Sequence, residues 1–456
     1  MRTYFLPKGT LPTAKVINQL IDSEKRKKDI KRYAKLEQYY LNEPTVSREA
    51  PHELLAIVNH ARYITKINTG YLLGNPVEYV VTEGNNIQPL IDQYRKQTIS
   101  DLDITLAKKC SIFGRAYERI YSNEDADIES AVIDPRHAIL VYDDSVKHKK
   151  MFGITYMPKI DESGEESKDT YKLTILTDSQ ILHRELTGNK MTTTDEEDEN
   201  HFFGEVPMVE YANDDDYVGD YEPVITLIDA YNILQSDRVL DRERLVDAIL
   251  ALYGIDLTED QKKDLKEGRM ISGIPLDAKL EYIIKNINEA DADVLRKTLA
   301  ADIHKISMTP DMSDENFVGN SSGVAILYKL LPFENNVKDK ERHFERALMD
   351  RFHIYNQFLS TRSKMKEIAN EEVDAIFKRA LPQNDLEISQ IINNLIGLVD
   401  KELLVSQLSF VRDSKETIEL AGREAKEDAA KGDNTYNSDN YGRDTTDSED
   451  DNETTE

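Results

Sequence analysis

Between Leu54 and Val411 the apolar residues recur with a regular period, and the longest such segment runs from Gly323 to about Ile368, interrupted at Pro332. The spacing predicts one very long helix, kinked at the proline, whose ring removes a hydrogen-bond donor and crowds the preceding turn. A paired feature lies upstream. Val224, Leu227, Ile228, Tyr231 and Leu234 open an apolar stripe that continues through Val239 and Val246 to Tyr253. Pro223 suits the first turn of that helix and Gly254 its end. A second helix is predicted from Ala290 to Ile306, with Leu295, Leu299, Ile303 and Ile306 on one face. Between the two helices, Ile255 to Lys285 read as a compact insert. It holds a small helix from Thr258 to Glu267, with Thr258 as its N-cap, and strand-like pieces around Met270 and Leu280.

The N-terminal part has a different character. Thr13 to Tyr40 and His52 to Leu73 read as helices, Val77 to Thr82 as a short strand, and Leu102 to Tyr117 as a helix leading past Gly114 into a strand, Ala116 to Tyr121. Strand-like segments then accumulate at Ser130–Ile133, Ala138–Tyr142, Phe152–Met157 and Tyr171–Thr177. The fold class is therefore α+β, with a mostly antiparallel sheet. Thr309 to Ser322 is rich in Asp, Asn, Ser and Gly and reads as a loop. A short strand is expected from Asp374 to Ala380, then a mainly helical region from Leu386 to about Ala430. Gly432 to Glu456 is acidic, almost without aliphatic side chains, and expected to be disordered.

Charge narrows the function. The chain has 86 Asp and Glu against 58 Lys and Arg, a net charge of -28, so it should repel DNA as a whole and contact it only locally and weakly. The basic run KRKKDIKR, Lys25 to Arg32, is flanked by acids and tyrosines and reads as a solvated helix face. The acidic clusters Asp195–Glu199 and Asp214–Asp216 lack any metal-ligand spacing and read as solvated loops. The single cysteine, Cys110, lies in apolar-rich sequence and reads as a buried structural thiol. His60, His137, His183 and His201 have no partner pattern and read as structural. Phosphate-loop, nucleophile-elbow and zinc-protease motifs do not occur, so neither an enzyme nor a cofactor is expected. The N-terminus shows no signal peptide pattern and no apolar run is long enough to span a membrane, so a cytoplasm-like compartment is expected.

Several local strings, in this order, carry a resemblance. They are NHARYITKINTGYLLGNPVEY (Asn59–Tyr79), SIFGRAYERIY (Ser111–Tyr121), FFGEVPMVEYAND (Phe202–Asp214), LIDAYNILQSDRVLDRERLVDAILALYG (Leu227–Gly254) and DMSDENFVGNSSGVAILYKL (Asp311–Leu330). FKRALPQNDLEISQIINNLIGLVDKELLVSQLSFVRD (Phe377–Asp413) completes the set. Together they span nearly the whole chain, and the sequence resembles the portal (head-tail connector) proteins of tailed bacteriophages, in the branch typical of siphophages of Gram-positive hosts.

The resemblance implies a ring, usually dodecameric in a virion, at one capsid vertex. It divides the chain into an α+β wing (1–222), a stem helix (223–254), a small α/β clip (255–289) and a second stem helix (290–308). A tunnel loop (309–322), the long kinked helix with a wing strand (323–385), a helical crown (386–431) and the acidic tail (432–456) follow. The partners implied are double-stranded DNA in the channel, the terminase large subunit, head-completion or adaptor proteins, and the major capsid and scaffolding proteins. No membrane is involved; the protein would occupy the host cytoplasm during assembly and then the virion. Asp314, Asn316, Phe317, Val318, Asn320 and Ser321 are the expected loop residues facing DNA. Arg296, Lys297, His304 and Lys305 are basic candidates for the channel wall, with ordinary surface or inter-subunit charges an equal alternative. Glu259, Lys262, Lys263, Lys266 and Arg269 are candidates for partner docking on the clip. Rival readings are a minor head or scaffolding protein and, further off, a carboxylate metal-dependent nuclease.

Overall fold

The computed structural model describes residues 3–43, 56–82, 84–123, 127–160, 163–246, 249–253, 258–266, 279–283, 289–312, 323–379, 385–405, 408, 411, 414 and 417–423. The chain divides at residue 380 into two units.

The first unit opens with a short strand, β1 (Tyr4–Leu6), then α1 (Ala14–Asp22) and α2 (Glu24–Leu41). One helix is predicted over Thr13 to Tyr40; the structure breaks it at Ser23, whose hydroxyl accepts the Arg26 amide at 3.1 Å and caps α2. α3 (His60–Leu73) begins at Asn59, whose side chain accepts the Arg62 amide at 2.8 Å. It does not begin at His52: residues 56–59 are not helical, and 52–55 lie outside the described residues. β2 (Glu78–Val81), α4 (Gln88–Lys96) and α5 (Ile99–Phe113) follow. α5 stops at Phe113 rather than at Tyr117 because Gly114 takes a left-handed φ of 82° and donates its amide to the Cys110 carbonyl at 2.8 Å.

Among the described residues, nine strands come next: β3 (Arg115–Ser122), β4 (Ile128–Ile133), β5 (Ala138–Asp143), β6 (Lys150–Ile160), β7 (Glu166–Leu176), β8 (Gln180–Thr187), β9 (Lys190–Thr193), β10 (Glu199–Asn200) and β11 (Met208–Ala212). The larger sheet has the order β1-β5-β6-β7-β8-β10, with β9 also on β8; only β1–β5 is parallel. A smaller antiparallel sheet has the order β11-β3-β4. α1 lays Ile17 and Ile21 on the larger sheet among Ile139, Phe152, Ile154 and Ile175. The α+β class and the mostly antiparallel pairing match the sequence expectation.

α6 (Ile225–Val246) then follows a 3-10 turn, Glu222–Val224. The helix predicted to reach Tyr253 ends at Val246, because Ile249–Tyr253 is a strand, β12, paired antiparallel to β13 (Lys279–Ile283) with Ile249 opposite Ile283. A run of five apolar residues satisfies either period, and only its pairing decides. α7 (Glu259–Lys266) sits between those strands in sequence; Met270 lies outside the described residues. α8 spans Glu289–Ile306. The long helix, α9, is Gly323–Thr361 and continues through Pro332, an exposed position beside buried Phe333. β14 (Val373–Ile376) pairs antiparallel with β2, joining chain segments far apart in sequence.

In the second unit, α10 (Asp385–Leu395) and α11 (Lys401–Val405) are joined by a turn with an Ile396–Val399 bridge, and residues 417–423 are helical. The acidic residues 432–456 lie outside the described residues.

Candidate functional site

α6 and α8 meet the rest of the first unit in one apolar cluster. Val224 of the 3-10 turn and Ile225, Ile228 and Tyr231 of α6 pack with Ile303 of α8 against Tyr33, Leu36 and Tyr39 of α2, Ile64 of α3, and Phe113 of α5. Directional bonds fix the rotation of α6. The Tyr221 hydroxyl donates to the Leu36 carbonyl at 2.6 Å, and the Tyr39 hydroxyl donates to the Asp229 carboxylate at 2.8 Å. Asn232 and Ser236 accept the backbone amides of Val58 and Ala56 at 2.9 and 3.0 Å. Away from this cluster the apolar face of α8 is open: Ile303 is fully buried while Leu295 and Ile306, predicted to share its face, are each 50% exposed.

The residues leading from α8 toward residue 313 are held closely. Met308 takes a left-handed φ of 52° and turns the chain, and Thr309 behind it is buried. The Thr309 amide donates to the His304 carbonyl at 3.1 Å, and the His304 ring nitrogen Nδ1 lies 3.0 Å from the Thr309 carbonyl. From α3, the Tyr63 hydroxyl donates to the Pro310 carbonyl at 3.1 Å and accepts the Met312 amide at 2.8 Å. Asn68 Nδ2 donates to Thr309 Oγ1 at 2.9 Å. His60 lies edge-on to Tyr231 and to His304, with centroids 4.7 and 5.8 Å away. Burial, and then the neighbouring His304, push its pKa down to about 4.

A buried ion pair lies next to this turn. Lys340 of α9 pairs with Asp220, just before the turn into α6, and its ammonium also donates to Asn68 Oδ1 at 2.9 Å. Asp220 additionally accepts from Ser111 Oγ and Asn213 Nδ2, each at 2.7 Å. Buried charge survives only when paired and saturated with hydrogen bonds, and this pair is.

The predicted residues are distributed unevenly around this geometry. Arg296 and Lys297 converge on Asp293, at 3.0 and 2.9 Å, so each basic group is partly neutralised on its own helix. Lys305 is exposed, whereas the His304 side chain is 12% exposed and turned against His60 and Tyr63, leaving little of it to offer DNA. On α7, Lys262 pairs with Glu259 at 2.8 Å and Lys263 is exposed. Lys266 closes α7; its side chain and Arg269 lie outside the described residues, as do Asp314, Asn316, Phe317, Val318, Asn320 and Ser321.

The KRKKDIKR run is not simply a solvated face. Arg26 is buried and donates to the Tyr156 hydroxyl at 2.7 Å and to the Pro135 and Arg136 carbonyls at 3.0 and 2.7 Å. Arg32 pairs with Glu222, while Lys27, Lys28 and Lys31 are exposed. The run braces α2 against the sheet on one side and faces solvent on the other. The acidic stretches are likewise partly structural: Asp198 pairs with Arg184 at 2.5 Å, and Asp214 accepts the Val218 amide at 2.9 Å. Cys110 is buried, and burial pushes its thiol pKa up. Among the described residues no group of three or more His, Cys, Asp or Glu side chains could hold a metal ion. No described helix is long and apolar enough to cross a membrane.

A pair of helices bracketing a strand–helix–strand insert, rooted in an α+β body and followed by one very long helix, is an arrangement of structural elements rather than a pocket. Its class is shown by sequence comparison: the profile described as "Phage portal protein, SPP1 Gp6-like" matches residues 20–431. The chain belongs to that phage portal family. It is similar to the portal protein of Bacillus phage SPP1, 23% identical over 369 residues that cover 77% of this chain and 72% of that protein. It is also similar to the portal protein of Clostridium phage phiCD119, 24% identical over 246 residues covering 52% of each chain.

Proposed function

We propose that this chain assembles into a ring, a dodecamer in the virion, at one capsid vertex, and that double-stranded DNA enters and leaves the capsid through its channel. The observation that carries this reading is the family match across residues 20–431, which takes in every element from α2 to the helical residues near 423. In this reading residues 1–222 are the wing, α6 and α8 the stem, and residues 255–289 the core of the clip, extended by β12. Residues 309–322 are the tunnel loop, α9 the helix spanning the wing with a kink at Pro332, and residues 386–431 the crown.

Physical chemistry supports it. A ring of identical subunits needs heterologous contacts that close under rotation, and the half-exposed Leu295 and Ile306 give α8 apolar surface for a neighbouring copy. A net charge of -28 suits a conduit that must not hold its cargo, since each fixed phosphate contact would retard DNA movement. Arg296, Lys297 and Lys305 then supply weak, repeated contacts. The clip, with Lys262 and Lys263 exposed on α7, docks the terminase large subunit during packaging and head-completion proteins afterwards. The major capsid and scaffolding proteins surround the wing. The protein works as a structural component in the virion, assembled in the host cytoplasm, and ATP hydrolysis falls to the terminase.

Negative-stain microscopy of the purified protein tests the reading. Flat toroids with a central hole and rotational symmetry are expected. Rods or monomers under conditions where the chain is folded would overturn it in favour of a scaffolding or minor head protein, and metal-dependent cleavage of DNA by the purified chain would revive the nuclease.

A further inference from the structure

Lys340 stands where three elements meet that are remote from one another in sequence. Its own helix is α9. Asp220 precedes the turn that launches α6, and Thr309 follows the end of α8. The Lys340 and Asp220 side chains are 9% and 3% exposed. Asn68 bridges the remaining gap: its Oδ1 accepts from Lys340 Nζ at 2.9 Å, and its Nδ2 donates to Thr309 Oγ1 at 2.9 Å. An asparagine amide has one accepting and one donating end, so it transmits orientation from the ammonium to the threonine hydroxyl. Buried polar atoms of this kind have no water to fall back on, and breaking one link leaves its neighbours unsatisfied.

We propose that Lys340 is the positioning residue of the channel loop: through Asn68 and Thr309 it clamps residues 307–312, the turn off α8 and the first residues of the loop, to the long helix, and through Asp220 it holds the start of α6 to the same point. This rests on the reading of residues 309–322 as the loop that meets DNA. The clamp reaches as far as Met312, whose amide donates to the Tyr63 hydroxyl. A lysine suits the post because three N–H donors on one atom can serve an aspartate and an asparagine together.

Hydrogen exchange followed by mass spectrometry on the assembled ring tests the clamp. The Ser307, Met308, Thr309 and Met312 amides all have acceptors, so the peptide covering them reports its integrity directly. Asn68→Leu cuts the link to Thr309 while sparing the Lys340–Asp220 pair. Thr309→Val removes only the hydroxyl and keeps the shape. Each is expected to speed exchange over 307–312 at least tenfold, with protection in the larger sheet unchanged. Lys340→Met should do the same, and combining it with Thr309→Val should add little, since the links act in series. Wild-type protection over 307–312 in Asn68→Leu and Thr309→Val rings, or full additivity in the double variant, would overturn the proposal. The readout does not depend on what the loop does; a failure of the loop reading shows instead in DNA packaging by rings whose 307–312 exchange has changed.

Discussion

The guanidinium of Arg351 donates through Nε to both carboxylate oxygens of Glu118 at 2.9 Å, and neither side chain is exposed to solvent. Arg351 Nη1 also lies 2.6 Å from Asp103, and the Tyr211 hydroxyl donates to Glu118 at 2.7 Å. One arginine thus joins α9 to α5, β3 and β11. Replacing it with Met strands two carboxylates away from water, and the expected loss is about 3–5 kcal/mol, the usual effect of removing one partner from a buried pair. Chemical denaturation of Arg351→Met against the parent measures it; a loss under about 1 kcal/mol would mean the site hydrates easily.

Gly114 allows a close approach that no other residue permits. A Cβ there would collide with the Tyr217 carbonyl oxygen, on a backbone already at φ +82°. Gly114→Ala should destabilise the fold by at least about 2 kcal/mol, through strain and displacement of the 214–218 turn, and should lower the yield of folded protein. Thermal melting of the purified variant checks this.

The junction of α8 with α3 should lose stability in acid, and the sign follows from His60. Burial holds its pKa down to about 4, below the value near 6.5 of a free imidazole. Its stabilising contribution is therefore complete above pH 6.5 and is lost as the pH falls through about 4, by at most about 3 kcal/mol. Tyr231 and His304 lie edge-on to the ring, and the Asp311 carboxylate acts on it electrostatically. His60→Phe keeps the edge-on contact with Tyr231 without a titrating group. Its melting temperature should fall less than that of the parent between pH 7 and pH 4.5.

Deleting residues 314–320 tests the proposed assignment of 309–322 as the channel loop. Rings of normal appearance with impaired DNA packaging are expected in a packaging assay with purified terminase. Normal packaging by intact rings would remove the loop from the DNA path.

Charge reversal on α7 addresses docking. Lys262→Glu with Lys263→Glu lies on an exposed face and should leave ring images unchanged while weakening terminase binding at least tenfold. Surface plasmon resonance on immobilised rings reads the affinity, and unaltered binding would move the docking surface elsewhere.

Much of this molecule was legible before its coordinates. The long helix from Gly323, the pair of helices around a small insert and the order of the first strands all follow from local period, because side-chain spacing alone encodes which face is apolar. Charge and the absence of catalytic motifs argued for a structural role, and the ordered strings carried the resemblance that the family match upholds. Three things needed the tertiary structure. β12 read as helix, since Ile249–Tyr253 reveals itself as a strand only through pairing with Lys279–Ile283. β8 and β11 were hidden by their charged residues, Arg184, Glu185 and Glu210, which find partners across space. Nothing in the sequence singles out Lys340, Asn68 and Asp220, and Arg26 read as part of a solvated basic run. A charged side chain carries no local mark of burial; what makes it a strut is the partner that folding brings to it from hundreds of residues away, as Lys340 and Arg351 show.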